Sequence, residues 1–201
     1  KQRFAYLPEC GAQIDTTDMD SWEVPVGARF WKEFKRDGVL VETRFFIRTG
    51  PNKNDYSFAT YFWDGSGDAV RTSNGLTDAG GTGHDIPPEG LCQVCHKPSW
   101  RVLGFSAVQL SHSLPGETIA SLSNEGMLTT PLPGGVTVPG DAASEPALGY
   151  LHANCGNCHN EFPGAAPVTL RTRLRSTDAT VDTTDTYTTA INVPTTNFPC
   201  G

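Results

Sequence analysis

The 201-residue chain lacks any run of 18 consecutive apolar residues, and only 37% of its residues are hydrophobic. A helix that crosses a bilayer needs about 20 predominantly apolar residues. The sequence therefore predicts no transmembrane segment. Residue 1 is Lys rather than Met and no signal peptide is recognisable, so we interpret the chain as a mature or trimmed segment.

The chain also has fewer basic than acidic residues. The chain has 15 Lys and Arg against 22 Asp and Glu, which gives a formal net charge of −7. Proteins that bind nucleic acid or an anionic membrane surface rely on positive charge to neutralise phosphate. The charge balance argues against both kinds of partner and agrees with protein partners that are steered by charge.

The common catalytic signatures are missing as well. The sequence has no H-E-x-x-H motif, no phosphate-binding loop and no usable Ser-His-Asp arrangement. The pair Gly80 and Gly83 lacks the strand–turn–helix context of a nucleotide-binding fingerprint. The sequence therefore offers no catalytic constellation made of side chains alone.

Two pentapeptides stand out against these absences: Cys92-Gln93-Val94-Cys95-His96 and Cys155-Gly156-Asn157-Cys158-His159. C-x-x-C-H is the attachment signature of a c-type haem. Its two thiols bond the vinyl groups of one porphyrin, and the histidine offers a neutral imidazole nitrogen to iron. Two C-x-x-C disulfides or two half zinc sites are the alternatives, although zinc ligands are usually closer or regularly repeated.

The sequence therefore predicts two covalently bound haem c groups. The thioether-forming residues are Cys92, Cys95, Cys155 and Cys158, and the proximal iron ligands are His96 and His159. Haem c is attached outside the bacterial cytoplasm, where thiols also oxidise. This predicts a periplasmic or extracellular, cell-surface location, and it favours a disulfide between the remaining cysteines, Cys10 and Cys200. Free or intermolecular thiols are the alternative, because sequence does not show geometry.

Alternating apolar residues and the turn Asp37-Gly38 predict a small antiparallel sheet in residues 1–75. The predicted strands are 22–26, 30–34, 39–47, 56–62 and 69–71. Their aromatic residues are expected on a packed sheet face, with a sugar-binding platform as the alternative. Helices are predicted over 104–112, over 117–128 and from Pro146 into the second motif, and short strands over 168–171 and 186–188.

The predicted fold class is α+β, with an irregular, mainly short-helical di-haem part in residues 76–201. The first haem is placed around 91–130 and the second around 145–201.

The sixth ligand of each iron decides between electron transfer and catalysis. The candidates are His84, His112, His152, Met19 and Met127, each weighed against an ordinary surface or core role. Residues 160–201 contain no His, Met or Lys. The second haem must then take its ligand from upstream or from another chain, or have none. Met127 precedes a Pro-rich loop and suits the first haem. His152 lies only three residues before Cys155, so it could face the other haem, with a surface or propionate-bonded histidine as an equal alternative.

Several stretches carry a family resemblance. They are 18–27, 30–34, 41–44, 83–87, 102–111 and 149–160, the last reading Gly-Tyr-Leu-His-Ala-Asn-Cys-Gly-Asn-Cys-His-Asn. Together they resemble a group of large, mostly uncharacterised bacterial secreted c-type cytochromes. The resemblance implies a di-haem cytochrome outside the cytoplasm and no particular substrate. Such proteins usually continue past the second haem into a segment with a Met-Pro pair, and this sequence does not.

The expected function is electron transfer between redox partner proteins, with the haems as the carriers. The sequence leaves open whether the protein is an enzyme, and the lack of a catalytic constellation favours electron transfer. One alternative is a di-haem peroxidase or oxidase with one open iron, where Glu161 moves protons. The other is a haem subunit of a larger respiratory complex or of a homopolymer.

Overall fold

The computed structural model describes residues 2–9, 11–96, 102–161 and 169–193. The predicted Cys10–Cys200 disulfide lies outside the described residues. The chain divides into two compact units: the first contains Lys1–Asp15 and Glu23–Arg101, and the second contains Thr16–Trp22 and Val102–Gly201. The predicted boundary after residue 75 falls within the first unit. Each unit carries one C-x-x-C-H motif.

The first unit contains a five-stranded antiparallel sheet whose strands are ordered as in the sequence. The strands are β1 (Gln2–Tyr6), β2 (Arg29–Arg36), β3 (Val39–Arg48), β4 (Tyr56–Trp63) and β5 (Ala69–Arg71). This confirms the predicted antiparallel sheet. Strand β1 was not predicted, and the predicted strand at 22–26 reduces to an isolated bridge between Asp15 and Glu23.

The hairpin between β2 and β3 turns at Asp37 and Gly38, as predicted. Both residues have positive φ, 49° and 84°, which is the signature of a two-residue type I′ turn. The pairing then skips a residue, since Glu42 lies opposite Phe34 while Leu40 lies opposite Lys35. The extra residue, Val41, forms a β-bulge. As a result Val41 and the adjacent Glu42 are both buried, at 2% and 0% exposure.

Aromatic side chains form rows across both faces of the sheet. Phe46 lies opposite Phe30 on β2 and Phe58 on β4, and the ring centroids are 4.9 Å and 5.7 Å apart. On the other face Trp31 and Phe45 pair at 5.3 Å. Cross-strand aromatic pairs of this kind stabilise a sheet beyond simple area burial. The aromatics therefore pack as expected, but on two faces rather than one.

The loop after β5 folds back into a small core. Leu76 and Ile86 form a bridge, and Ile86 packs with Val41 and Ala79. Gly75 has φ of +79°, and a Cβ there would lie 2.6 Å from the Ile86 carbonyl oxygen, so only glycine fits this approach. The loop contains two 3₁₀ turns, Ala79–Gly81 and Glu89–Leu91, and the second continues into helix α1 (Cys92–Cys95).

The second unit is built from short helices and loops. Its helices are α2 (Ala107–Leu110), α3 (Ile119–Asn124), α4 (Ser144–Asn154) and α5 (Asp185–Ala190), with a 3₁₀ turn at Val181–Thr183. The three predicted helices are confirmed, the first two shorter than expected. Their core includes Val108, Leu148 and Leu174. None of the described helices is long and apolar enough to cross a membrane.

The predicted strands in the Thr-rich tail are wrong. Residues 169–171 form no strand, and residues 186–188 lie in α5. The Thr184 side chain accepts a hydrogen bond from the Tyr187 backbone N–H at 3.1 Å, which caps the start of this helix. A local cap therefore outweighed the strand preference of threonine and tyrosine.

Residues 16–22, which we call the 16–22 segment, are held within the second unit by long-range contacts. Thr16 is fully buried and exchanges hydrogen bonds with Thr129 and Thr130 at 2.9 Å each. The Asp20 carboxylate accepts the Ser176 N–H at 2.7 Å. Trp22 meets Phe105 edge-on, with ring centroids 5.7 Å apart. The segment is thus fixed at its start, middle and end.

Candidate functional site

The first motif forms a single helical turn. Helix α1 spans Cys92 to Cys95, and the His96 backbone N–H donates to the Cys92 carbonyl at 3.0 Å. Residues three apart lie on the same side of a helix, so the turn brings the two thiol-bearing positions together. Neither cysteine forms a disulfide. The turn therefore places both thiol-bearing positions on one side, as attachment to one porphyrin would require.

Glu89 fixes the start of this motif to the sheet. Its Oε1 accepts the Thr60 N–H of β4 at 2.9 Å, and its Oε2 lies 2.9 Å from Arg71 Nη2 of β5. The hydrogen bond from Arg71 lowers the pKa of Glu89 below its ordinary value. The ionised glutamate contacts both β4 and β5. It therefore fixes the position at which the turn of the first motif begins.

The imidazole of His96 lies on the aromatic row of the sheet. Its ring centroid is 5.2 Å from that of Phe46 and 5.3 Å from that of Phe58. Both phenylalanines come from strands that end well before the motif in the sequence. The sheet thus supplies one wall for the predicted proximal ligand of the first haem.

The Cys92 thiol is partly buried. Burial raises the pKa of Cys92, and the positive charge of Arg44 only partly offsets this effect. The thiol is therefore protonated at neutral pH. On either side, Leu91 and Val94 are each 55% exposed, and Cys95 is exposed too. Exposed apolar side chains beside two thiols are a surface that a porphyrin would cover, so this region fits a covalent haem.

A charged cluster of Glu42, Arg44 and His84, which we call the Glu42 cluster, lies on the face of the sheet that carries Phe46. Glu42 and His84 are buried, and Arg44 is half-exposed. Arg44 Nε is 2.5 Å from Glu42 Oε1, and His84 Nε2 is 2.7 Å from Glu42 Oε2. A carboxylate only accepts hydrogen bonds, so Nε2 of His84 carries the hydrogen. Sequence reasoning missed Glu42, and the available signal was a charged residue inside an otherwise apolar predicted strand.

The second motif adopts the same turn without an α-helix of its own. It follows α4, and the N–H groups of Cys158 and His159 donate to the Cys155 carbonyl at 3.0 Å and 2.9 Å. At Gly156 a Cβ would lie 2.7 Å from the His152 carbonyl oxygen, so a larger residue would force the turn apart. Fully buried Asn160 donates from Nδ2 to the Gly156 carbonyl at 2.9 Å and closes the turn.

The imidazole of His159 is oriented by the backbone that follows it. Its Nδ1 is 3.3 Å from the Leu170 carbonyl oxygen, and the His159 carbonyl accepts the Thr172 N–H at 2.9 Å. A carbonyl oxygen only accepts, so Nδ1 must carry the hydrogen, and Nε2 of the neutral ring keeps its lone pair. This is the tautomer that an iron ligand needs, and the partner on Nδ1 holds the ring in place.

Four buried polar atoms in the described part of the chain have no hydrogen-bond partner. They are Trp22 Nε1, Ser106 Oγ, Thr172 Oγ1 and Thr186 Oγ1. All four belong to the second unit. Buried polar groups are nearly always paired, so unpaired ones indicate a group that the protein itself does not supply. Ordered water or the propionates of a haem would supply acceptors for such donors.

The candidate sixth ligands are distributed unevenly. Met19, His112, Met127 and His152 lie in the second unit, and only His84 lies in the first. Met127, which the sequence suggested for the first haem, therefore shares a unit with the second motif. Nδ1 of His112 accepts the Leu114 N–H at 3.2 Å. Glu161, the predicted proton carrier, lies 3.6 Å from Arg173.

His152 packs against the stretch that also holds His159. Its Nδ1 accepts the Leu174 N–H at 2.9 Å. Burial, assisted by the positive charge of Arg173, lowers the pKa of His152 to about 4. The ring is therefore neutral at physiological pH, with its single hydrogen on Nε2.

The described residues include no group of three or more His, Cys, Asp or Glu side chains that could hold a metal ion by themselves. Comparisons of the chain with protein-family models, with curated proteins and with solved structures found no match.

Proposed function

We propose that the protein is a bacterial di-haem c-type cytochrome that carries electrons between redox partners outside the cytoplasm. Cys92 and Cys95 would hold the first haem, with His96 as its proximal ligand. The residues that would hold the second haem are Cys155, Cys158 and His159. Two copies of one motif, each folded into the same hydrogen-bonded turn, support this assignment.

The observation that carries the proposal is the orientation of His159. A histidine that donates Nδ1–H to a carbonyl keeps Nε2 free for a metal ion, and the C-x-x-C spacing directly before it favours haem iron over zinc. The Leu170 carbonyl imposes this tautomer at 3.3 Å. Haem-ligating histidines need such a partner, because it fixes the ring and strengthens the nitrogen as a donor.

When bound, each haem iron would supply reversible one-electron transfer. The chain supplies position and environment. Phe46 and Phe58 pack against one side of His96, and the Leu170 carbonyl fixes His159. With one motif in each unit, the two carriers are held by separate scaffolds.

The test is haem stoichiometry combined with electrochemistry. We expect the full chain, exported from a host that attaches haem c, to carry two covalent haems by pyridine haemochrome assay and mass spectrometry. The double variant Cys92→Ser/Cys95→Ser should retain one, and Cys155→Ser/Cys158→Ser should retain the other. Spectroelectrochemistry of the intact protein should show two one-electron steps. A chain without covalent haem under these conditions would overturn the proposal.

The two remaining cysteines provide the matched control. Replacement of Cys10 and Cys200 by serine should leave both haems in place, since neither belongs to a C-x-x-C-H motif. Peptide mapping under non-reducing conditions of the unsubstituted protein tests the predicted disulfide between them. Two alkylatable thiols in the folded protein would rule that bond out.

A second candidate function is catalysis at one open iron. The structure favours the first haem for this role over the second. His84 is the only one of the five candidate ligands in the first unit, and its Nε2 donates to Glu42. An open first haem predicts a high-spin signal in the EPR spectrum of the oxidised protein and turnover of peroxide. Low-spin spectra from both haems without turnover would leave electron transfer as the function.

A further inference from the structure

The second unit contains four candidate sixth ligands for the second haem, two histidines and two methionines. An imidazole binds iron through a nitrogen that carries no hydrogen. The hydrogen bonds of His112 and His152 therefore decide whether either ring can serve. A thioether has no such requirement, because its sulfur is never protonated.

Both histidines have the wrong tautomer for ligation through Nε2. Nδ1 of His152 accepts the Leu174 N–H at 2.9 Å, and Nδ1 of His112 accepts the Leu114 N–H at 3.2 Å. A backbone N–H can only donate, so the hydrogen of each neutral ring lies on Nε2. Iron binding by either residue would require loss of that hydrogen bond. His159 shows the opposite arrangement, with Nε2 available.

The two methionines differ in what surrounds them. Met127 follows α3, where its N–H donates to the Leu122 carbonyl at 2.9 Å, and its neighbour Leu128 is buried at 1% exposure. This is the setting of a residue at the edge of a helical core. Met19 instead lies in a polar turn between Asp18 and Asp20, where a core role gives no reason for a methionine.

The turn that carries Met19 is fixed to the stretch that orients His159. Asp20 accepts hydrogen bonds from Arg173 through its carbonyl oxygen and from the Ser176 N–H through its carboxylate, the latter at 2.7 Å. Thr172, the residue before Arg173, donates its N–H to the His159 carbonyl. One extended stretch thus holds both the proximal histidine and the neighbour of Met19.

A second observation indicates that the 16–22 segment faces a group that is not part of the chain. Trp22 Nε1 is buried and has no acceptor among the described residues, and neither has the Thr172 hydroxyl, whose residue is 1% exposed. Thr172 directly precedes Arg173 in the sequence, and Trp22 follows Asp20 by two residues. Haem propionates are the acceptors that the proposed function would provide.

We propose that the Met19 sulfur is the sixth ligand of the second haem iron. The assignment rests on the proposed function, since it presumes a haem attached at Cys155 and Cys158. It makes the second haem a His/Met site. It also assigns a role to the 16–22 segment, which belongs to the second unit although the residues on either side of it belong to the first: the segment completes the haem site of the second unit. Methionine ligation also implies a higher reduction potential than a second histidine would give.

The test uses the full, haem-loaded chain with three variants: Met19→Leu, Met19→His and the matched control Met127→Leu. The readouts are haem count, the methionine-to-iron charge-transfer band of the oxidised protein, near-infrared MCD and the midpoint potential. Leucine has nearly the volume of methionine, so folding should be preserved. We expect Met19→Leu to keep two haems and lose the band entirely, and Met19→His to give a bis-histidine spectrum with a lower potential.

The control variant Met127→Leu should keep two haems, the band and both potentials. Loss of the band in this variant alone would assign the ligand to Met127 and overturn the inference. An unsubstituted protein with two haems but no methionine band would also overturn it, while leaving the proposed function intact. An unsubstituted protein without haem would instead refute the proposed function. If Met19→Leu also loses the second haem, retention of that haem with a bis-histidine spectrum in Met19→His still supports ligation.

Discussion

The two C-x-x-C-H motifs have the same local turn but different supports. The turn of the first motif departs from a sheet edge through Glu89, and its histidine lies against Phe46 and Phe58. The turn of the second motif follows a helix, and its histidine is held by the carbonyl of Leu170. Side-chain packing therefore orients one ring, and a backbone hydrogen bond orients the other.

The pentapeptide therefore determines the local turn but not the residues that surround its histidine. The first motif depends on residues that precede it by dozens of positions, whereas the second depends mainly on residues that follow it. Their polar surroundings differ as well. The first unit contains a closed charged cluster, and the second contains the four unpaired buried polar atoms. The surroundings of the two motifs are thus expected to respond differently to the same kind of substitution.

The largest expected loss of stability follows from a change in the Glu42 cluster of the first unit. Replacement Glu42→Gln leaves Arg44 without its counter-ion and weakens the bond to His84, so we expect the first unit to lose about 3 kcal/mol. Hydrogen exchange measured amide by amide should show faster exchange in β2–β4 and no change in α4. The matched replacement Glu33→Gln on β2 should change little, since Glu33 is only half-buried. Equal losses for both variants would show that the Glu42 cluster has no special role.

The next effect concerns the second unit and depends on pH. The pKa of His152 falls from 6.5 to about 4 on folding. Between these values the unfolded chain binds the proton more tightly, so stability is complete above pH 6.5 and is lost as the pH falls toward 4. We expect a loss of about 2 kcal/mol over that range, measured by denaturant unfolding followed through probes in α4.

The variant His152→Gln isolates this effect, because glutamine can accept the Leu174 N–H but does not titrate. It should flatten the pH profile of the second unit. A profile that stays steep in His152→Gln would assign the pH dependence to another group.

A smaller loss of stability is expected from a change at Thr16, where the 16–22 segment begins. Thr16→Val removes the hydroxyl that donates to the Thr130 carbonyl and accepts its N–H. Loss of these buried hydrogen bonds should cost about 1–2 kcal/mol in the second unit. The exposed Thr177, which lies in the same unit, provides the control Thr177→Val. Thermal unfolding compares the two, and the same melting temperature for both would mean that the segment contributes nothing at this point.

The smallest effect tests the hairpin of the first unit. Gly38 has φ of +84°, and a Cβ there meets nothing within 4 Å, so Gly38→Ala costs only backbone strain. That strain is about 1 kcal/mol. Gly65→Ala is the control, because Gly65 lies in open space without a positive φ. Chemical denaturation should separate the two variants, and a neutral Gly38→Ala would mean that the turn can change type without cost.

The elements that the sequence predicted correctly are those with local signals. Strands β2, β3 and β4 alternate apolar and polar residues, and Asp37-Gly38 is a strong turn signal. Strand β1 was missed because all five of its residues are exposed, so it has no buried face to mark it. Helix α5 was missed because its threonines favour strands, and the cap that decides its structure is a single hydrogen bond.

In the candidate site, too, the local features were predictable and the long-range contacts were not. The C-x-x-C-H motifs are visible in the sequence because their five residues are contiguous. The partners of their histidines are not visible. Nothing in the sequence pairs Leu170 with His159, or Asp20 with Arg173 across 153 positions. Such pairings arise from tertiary packing, and hence the sequence alone left the sixth ligand open among five residues.

The 16–22 segment also has a consequence for the rate of folding. Its hydrogen-bond partners Thr129 and Ser176 lie 113 and 156 positions later in the chain than Thr16 and Asp20. The sheet of the first unit pairs only strands that are neighbours in sequence. Since folding slows as contacts become more distant in sequence, the first unit should form early and the second should close last. Closure of the second unit around the 16–22 segment is therefore expected to be the slow step of folding.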